Sequence, residues 1–150
     1  IGQRSFGPMR AQLIHGSQYF NKANDNILSF AMIETKEAVN NLDEILSVKN
    51  LTGVYIGPAD MSSSYGLPPK FDVREDPVFS NIKLIAKKAK EYGKIAGIHN
   101  GSTAYAKEMI NLGYKFVTIL SDFRVMSSNS QKIVDEMKDT KNDGKEASTY

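Results

Sequence analysis

ILSFAMIETKEAVNNLDEILSVKNLTGVYIGPADMSSSYG, residues 27–66, is the stretch whose reading decides the fold. Ile27 to Glu34 is an apolar, strand-like run. Thr35 to Val48 then places Ala38, Leu42, Ile45 and Leu46 on a helical stripe, and Gly53 to Gly57 is apolar and strand-like again. Strand, helix, strand in so short a span is the crossover unit that parallel neighbours require. The second strand must stop abruptly, because Pro58 has no N–H to give to a ladder. Asp60 and three serines therefore fall just past a strand end, in a stretch expected to be a loop.

The same alternation runs onward. Asp76 is expected to cap a helix with Pro77 at its first position and Gly93 at its close, followed by a strand from Lys94 to His99. Ser102 to Gly113 reads as a capped and terminated helix, Lys115 to Leu120 as a fourth strand, and Ser128 to Met137 as a last helix. Four strands joined by helices define an α/β protein with a parallel sheet. A (β/α)8 TIM barrel spends roughly 30 residues per unit, so this chain has the length of about half a barrel. An open doubly wound sheet is the alternative, although no Gly-x-Gly-x-x-Gly turn marks a dinucleotide site. Residues 1–137 are expected to form the barrel part. Residues 138–150, almost devoid of apolar side chains, are expected to be a disordered tail.

Composition narrows the function class. The 150 residues are 41% hydrophobic and 24% charged with a net charge of +2, which argues against a dedicated nucleic-acid or membrane-surface protein. Without cysteine there are no disulfides or thiolate metal sites, and a reducing cytoplasm is the expected compartment. No apolar run approaches the roughly 18 residues of a membrane span. The chain opens on Ile1 and runs straight into patterned sequence, so a longer protein with an upstream portion is expected.

Four polar residues close the strands: Glu34, Asp60, His99 and Asp122. In a barrel such positions converge on one mouth, where catalysis sits. Each also has an ordinary reading. Glu34 suits the first turn of the following helix, Asp60 and Asp122 suit caps, and His99 suits a structural hydrogen bond. Arg4, Arg10 and His15 read as surface groups. The pair of carboxylates says more than either alone. With no cysteine and no His-x-x-x-His pair, Glu34 and Asp60 suit a hard divalent ion, Mg²⁺ or Mn²⁺, with Co²⁺ a further candidate. The amides of Ala59 and Asp60, following Gly57-Pro58, are free to hold an anion.

Residues 32–66 closely resemble the central signature of the HpcH/HpaI aldolases, in which IET and IGPAD occur together. RSFGPMRA and NKAND upstream, and GKIAGIHNG and LGYKFVTILSD downstream, extend the resemblance from about Gly2 to Met137. It implies a class II aldolase on a TIM barrel, of which this chain holds about the last four units. The implied reaction cleaves a 4-hydroxy-2-oxo acid reversibly to pyruvate and an aldehyde through a metal-stabilised enolate. Glu34 and Asp60 match the metal ligands, and the amides of Ala59 and Asp60 match the clamp on the substrate carboxylate. Met32 stands where many members carry a substrate-holding Gln. The family's His-Asp dyad and its Arg belong to the first half of the barrel, so the general base is expected outside this chain, with His99 as the candidate catalytic group within it. Homo-oligomers with exchanged C-terminal helices are implied as well. A related acyl-CoA lyase or oxaloacetate decarboxylase, and a truncated non-catalytic chain, are the competing readings.

Overall fold

The structure is a computed structural model and describes residue 7 and residues 9–138. Arg4 and the polar tail from residue 139 onward lie outside the described residues.

Two short helices, α1 (Met9–His15) and α2 (Tyr19–Asn26), precede the alternating part. Arg10 and His15 are exposed on α1, where the His15 ring stacks on Tyr19 at 5.7 Å. Then follow β1 (Phe30–Ile33), α3 (Lys36–Asn40), α4 (Leu42–Ser47), β2 (Gly53–Ile56), α5 (Pro58–Ser64), α6 (Val78–Glu91), β3 (Ile95–Asn100), α7 (Thr103–Asn111), β4 (Phe116–Ile119) and α8 (Asp122–Met137). The four strands pair in parallel in the order β1-β2-β3-β4. Each sequential strand thus lies beside its predecessor, as in four consecutive staves of a barrel.

Local signals explain most boundaries. The Thr35 hydroxyl accepts from the Ala38 amide at the start of α3, and the Ser102 hydroxyl accepts from the Tyr105 amide at the start of α7; such caps are each worth about 1 kcal/mol. Gly93 and Gly113 take positive φ just past α6 and α7, which frees the chain to turn into β3 and β4.

Four expectations need correction. The helix expected over Thr35–Val48 is two, because the backbone breaks at Asn41. The serine-rich stretch is helix α5 rather than a loop: Pro58 presets its first turn, and the Ser62 and Ser63 hydroxyls bond back to the carbonyls of Pro58 and Ala59. The α6 helix begins at Val78, one residue past Pro77, yet Asp76 still acts on it through Oδ1, which accepts from the Ser80 amide and hydroxyl. Finally, α8 starts at Asp122, six residues earlier than Ser128, because the Ser121 hydroxyl caps it on the Arg124 amide.

The core lies on one face of the sheet. Ile33, Val54, Ile56, Ala96 and Ile98 are buried there against Leu42 and Leu46 of α4, Met61 of α5, Ile82, Ile85 and Ala89 of α6, and Met109 of α7. Full burial of each large aliphatic side chain contributes about 1.5–3 kcal/mol. Successive strand side chains alternate between faces. The opposite face therefore carries Phe30 and Met32, Gly53 and Tyr55, Gly97 and His99, and Phe116 and Thr118. Met32, Phe116 and Ile119 of the strands are exposed, and β1 and β4 are the outer strands of the sheet among the described residues.

Candidate active site at the carboxyl ends of the strands

Parallel strands end together, so the residues that follow them share one edge. One residue past the Ile33, Ile56, Ile98 pairing, the register sets Glu34, Gly57 and His99 side by side, and His99 pairs with Thr118. This row lies on the face opposite the helices. Gly57 supplies no side chain to it, and the resulting gap is where the two predicted ligands meet.

A Cβ built on Gly57 would stand 2.7 Å from Glu34 Oε2 and 3.7 Å from Asp60 Oδ2. Both carboxylates thus lie over the same point. Neither has a hydrogen-bond or ion-pair partner among the described residues. Glu34 is not a first-turn acid of α3: it precedes the cap residue Thr35, and Glu37 takes the first-turn position. Asp60 is the third residue of α5 and makes no capping bond. Glu34 thus has no first-turn place in α3, Asp60 is a first-turn acid of α5 without a capping bond, and the two carboxylates share the space over Gly57.

The serines hold that geometry. Ser64 Oγ accepts from the Lys36 amide at 2.7 Å, tying the end of α5 to the β1–α3 turn that carries Glu34. Buried Ser62 donates to the Pro58 carbonyl at 2.8 Å and tightens the first turn below Asp60. In that turn the first helical amide to find an acceptor is Met61, which donates to Gly57. The amides of Ala59 and Asp60 precede it and have no acceptor among the described residues.

Met32 stands two residues before Glu34 on the same face and is exposed. His99 is half-buried. Its Nδ1 lies 2.9 Å from Thr118 Oγ1, which in turn lies 2.5 Å from the Tyr55 hydroxyl. The Phe71 ring meets His99 edge-on at 5.0 Å, and the Arg124 guanidinium covers Phe71 at 5.1 Å. Burial lowers the His99 pKa below the usual 6.5; the Arg124 charge adds to this and Asp72 opposes it. The loop that brings Phe71 is anchored on the far side: Asp72 Oδ1 accepts from the Gly101 amide, the Tyr105 hydroxyl donates to the Val73 carbonyl, and Arg74 pairs with Glu108.

Asp122 is not drawn into this cluster. It is exposed at the start of α8, where Oδ1 accepts from the Phe123 amide. Sequence reading missed Tyr55, Thr118 and Phe71. Alternation along β2 and β4 was the available signal for the first two, whereas Phe71 sits in an irregular segment with no pattern to read.

The donor set fits a hard divalent cation. Two carboxylates, neither with a partner among the described residues, converge over a glycine, although no group of three or more His, Asp or Glu residues gathers there among the described residues. A cation held by Glu34 and Asp60 alone would keep positions for substrate and water.

The sequence model of the HpcH/HpaI aldolase/citrate lyase family matches residues 4–128. A hydroxypyruvate/pyruvate aldolase from Rhizorhabdus wittichii is 40% identical over 133 residues, which are 89% of this chain and 53% of that protein. A 5-keto-4-deoxy-D-glucarate aldolase from an Enterobacter species is 32% identical over 120 residues, 80% of this chain and 46% of that protein. The chain spans about half the length of the curated relatives it matches. Among solved structures, an HpcH/HpaI aldolase from Desulfitobacterium hafniense superposes with a TM-score of 0.77 at 21% identity, covering 94% of this chain and 55% of that one. The parallel sheet with its crossover helices is accordingly part of a (β/α)8 barrel. Its carboxyl-end cluster and its sequence lead to one identification: this chain belongs to the HpcH/HpaI aldolase/citrate lyase family.

Proposed function

We propose that this chain supplies the metal-binding portion of a class II aldolase that reversibly cleaves a 4-hydroxy-2-oxo acid to pyruvate and an aldehyde. The observation that carries the reading is the convergence of Glu34 and Asp60 over Gly57, with no group among the described residues neutralising either carboxylate. The relatives named as aldolases for hydroxypyruvate or pyruvate and for a keto-deoxy sugar acid support the reaction class.

Glu34 and Asp60 would hold the divalent ion, Mg²⁺ or Mn²⁺ in the first instance. When bound, it supplies Lewis acidity toward the oxygens of a 2-oxo acid. The amides of Ala59 and Asp60 orient the substrate carboxylate, since they have no acceptor among the described residues and sit beside the carboxylate pair. Met32 offers an apolar wall beside the carboxylates, and His99 faces the same side of the sheet two strands from Glu34. The general base is placed outside this chain. A related lyase, acting on an acyl-CoA ester or decarboxylating oxaloacetate, would use the same two carboxylates, and product analysis separates it.

Self-association belongs to the same reading. The 16-residue helix α8 has no buried residue and exposes Phe123, Met126, Ile133 and Met137. We place a homo-oligomeric contact there, and mass measurement in solution tests it.

Calorimetric titration of Mn²⁺ into the 150-residue chain, with and without pyruvate, tests the site. Binding that pyruvate strengthens, and that Asp60→Asn weakens at least about tenfold, is expected; a tenfold loss corresponds to about 1.4 kcal/mol. Equal Mn²⁺ affinity in wild type and Asp60→Asn would overturn the ligand assignment.

A further inference from the structure

At the other end of the sheet from Glu34 and His99, the last turns of α6 and α7 and the starts of β3 and β4 enclose a groove of about 540 Å³. Ile95, which lines it, and His99 are four residues apart on β3, about 13 Å at roughly 3.3 Å per residue. The groove is therefore separate from the carboxylate pair. Ala86, Ile95 and Leu112 give it apolar surface, and five lysines surround that surface: Lys83, Lys87 and Lys90 of α6, Lys94 before β3 and Lys115 before β4. No Asp or Glu among the described residues lines it.

Lysine near a helix end has an ordinary cause, since it answers the carbonyl dipoles of the last turn. That accounts for Lys88 and Lys90, the basic residues in the last turn of α6, and Lys88 pairs with Asp43 and is not part of the lining. It does not account for Lys83 and Lys87, which precede that turn, or for Lys115, which belongs to no helix.

Most of this charge is unspent. Lys94 is the exception, because its Nζ donates to the carbonyls of Val48 at 3.1 Å and Leu51 at 2.6 Å. Lys87 has Glu91 at 3.9 Å, and Lys83 lies over the Phe79 ring at 4.6 Å and within the field of Asp76, whose carboxylate is already bonded to Ser80. Lys90 and Lys115 have no ion pair or side-chain hydrogen bond among the described residues. The spacing also works against the helix. Lys83 and Lys87 stand at i,i+4, and Lys87 and Lys90 at i,i+3, where like charges are destabilising. Such a conflict between local physics and the fold is the mark of a functional surface, and a bound counter-charge resolves it.

We propose that this groove binds the polyphosphate group of a small anion, with the apolar surface of Ala86, Ile95 and Leu112 seating an organic body where the anion carries one. Ammonium groups on separate flexible stems act as point charges, which suits a row of phosphates, whereas a single planar carboxylate is matched by the guanidinium fork of arginine. A phosphate monoester carries about −1.5 to −2 charge near pH 7, so a short polyphosphate balances the lysines left over here. The groove also has the size of small-molecule sites, roughly 300–1,000 Å³.

The test is calorimetric titration of ATP and of inorganic triphosphate into the 150-residue chain in metal-free buffer with EDTA, so that neither the anion nor the Glu34–Asp60 pair holds a cation. Binding of both anions is expected. The double variant Lys90→Gln/Lys115→Gln should weaken it at least about tenfold, since two charge-assisted contacts are lost. Lys22→Gln/Lys132→Gln removes the same charge from exposed positions elsewhere and should weaken it less than about twofold, because distant surface charges are screened. Thermal unfolding supplies a second readout: triphosphate should raise the midpoint of wild type more than that of the groove variant. Tighter binding of ATP than of triphosphate would assign an organic body to the ligand, and equal affinities would assign the phosphate chain alone. A folded chain that binds neither anion at about 1 mM overturns the proposal. Equal losses in the two double variants overturn it as well, because the attraction would then belong to the net charge and not to the groove.

Discussion

Glu34 lays its Oε2 2.7 Å from the point at which a Cβ on Gly57 would stand, so the absence of a side chain at one residue makes room for the carboxylate of the other. The neighbouring strand-end residue has been reduced to backbone, and Asp60, three positions on, reaches over the same spot. A strand that halts at Gly-Pro and turns at once into a short helix is the device that brings the two acids together.

Gly57→Ala is therefore expected to separate binding from folding. The glycine has φ −97° and ψ 93°, outside the left-handed region, and an alanine methyl would press chiefly on the mobile end of Glu34. Stability should change by less than about 1 kcal/mol, as for substitutions that meet no rigid neighbour. Mn²⁺ affinity should fall about tenfold or more as the Glu34 carboxylate is pushed aside. Calorimetry paired with a urea unfolding curve checks both halves, and unaltered metal affinity would show that Glu34 does not work from this position.

Gly53 gives the opposite outcome for the same chemical change. A Cβ there would lie 2.1 Å from the Ile95 carbonyl oxygen and 2.8 Å from Phe30 Cε1. The carbonyl is backbone in the paired strand β3 and has nowhere to go. Gly53→Ala is expected to destabilise the chain by about 3 kcal/mol, the upper part of the range for overpacked interiors. A urea midpoint close to wild type would contradict the β2–β3 register. Comparing the two glycine variants asks whether each glycine serves the site or the sheet.

Much of this was legible in the sequence because its signals are local. Thr35, Ser102, Gly93 and Gly113 mark helix ends through bonds and dihedral angles that reach no further than a few residues. Glu34 and Asp60 were legible as a pair because parallel strands end on one edge whatever the details of packing. The start of α8 was not, since Phe123, Val125 and Met126 remain exposed and draw no apolar stripe. Nor was the helical state of residues 61–64, where weak helix formers are held by hydroxyl bonds to Pro58 and Ala59 and by the Lys36 amide on Ser64. The link from Tyr55 through Thr118 to His99 spans three strands. It depends on register, which no single strand encodes.

His99 should make stability depend on pH in a window of its own. Burial, followed by the Arg124 charge, lowers its pKa in the folded chain below the unfolded value of 6.5, with Asp72 acting against them. As pH falls below about 6.5 the unfolded chain binds this proton first, so the stabilisation is fully present above that value and is lost as pH falls through the folded pKa. The carboxylates of Asp43, Glu75 and Asp76 are held below their usual values chiefly by Lys88, Lys70 and Ser80, respectively. Their stabilisation is present above about pH 4 and is lost as pH falls through their own lower pKa values. Urea midpoints compared at about pH 7.5 and about pH 5.5 should therefore fall in wild type and fall less in His99→Gln, which cannot take the proton. An equal fall in both chains would mean that the imidazole pays no penalty for charging where it stands. The confinement of His99 by Thr118 and Phe71 would then carry no energetic preference for the neutral ring.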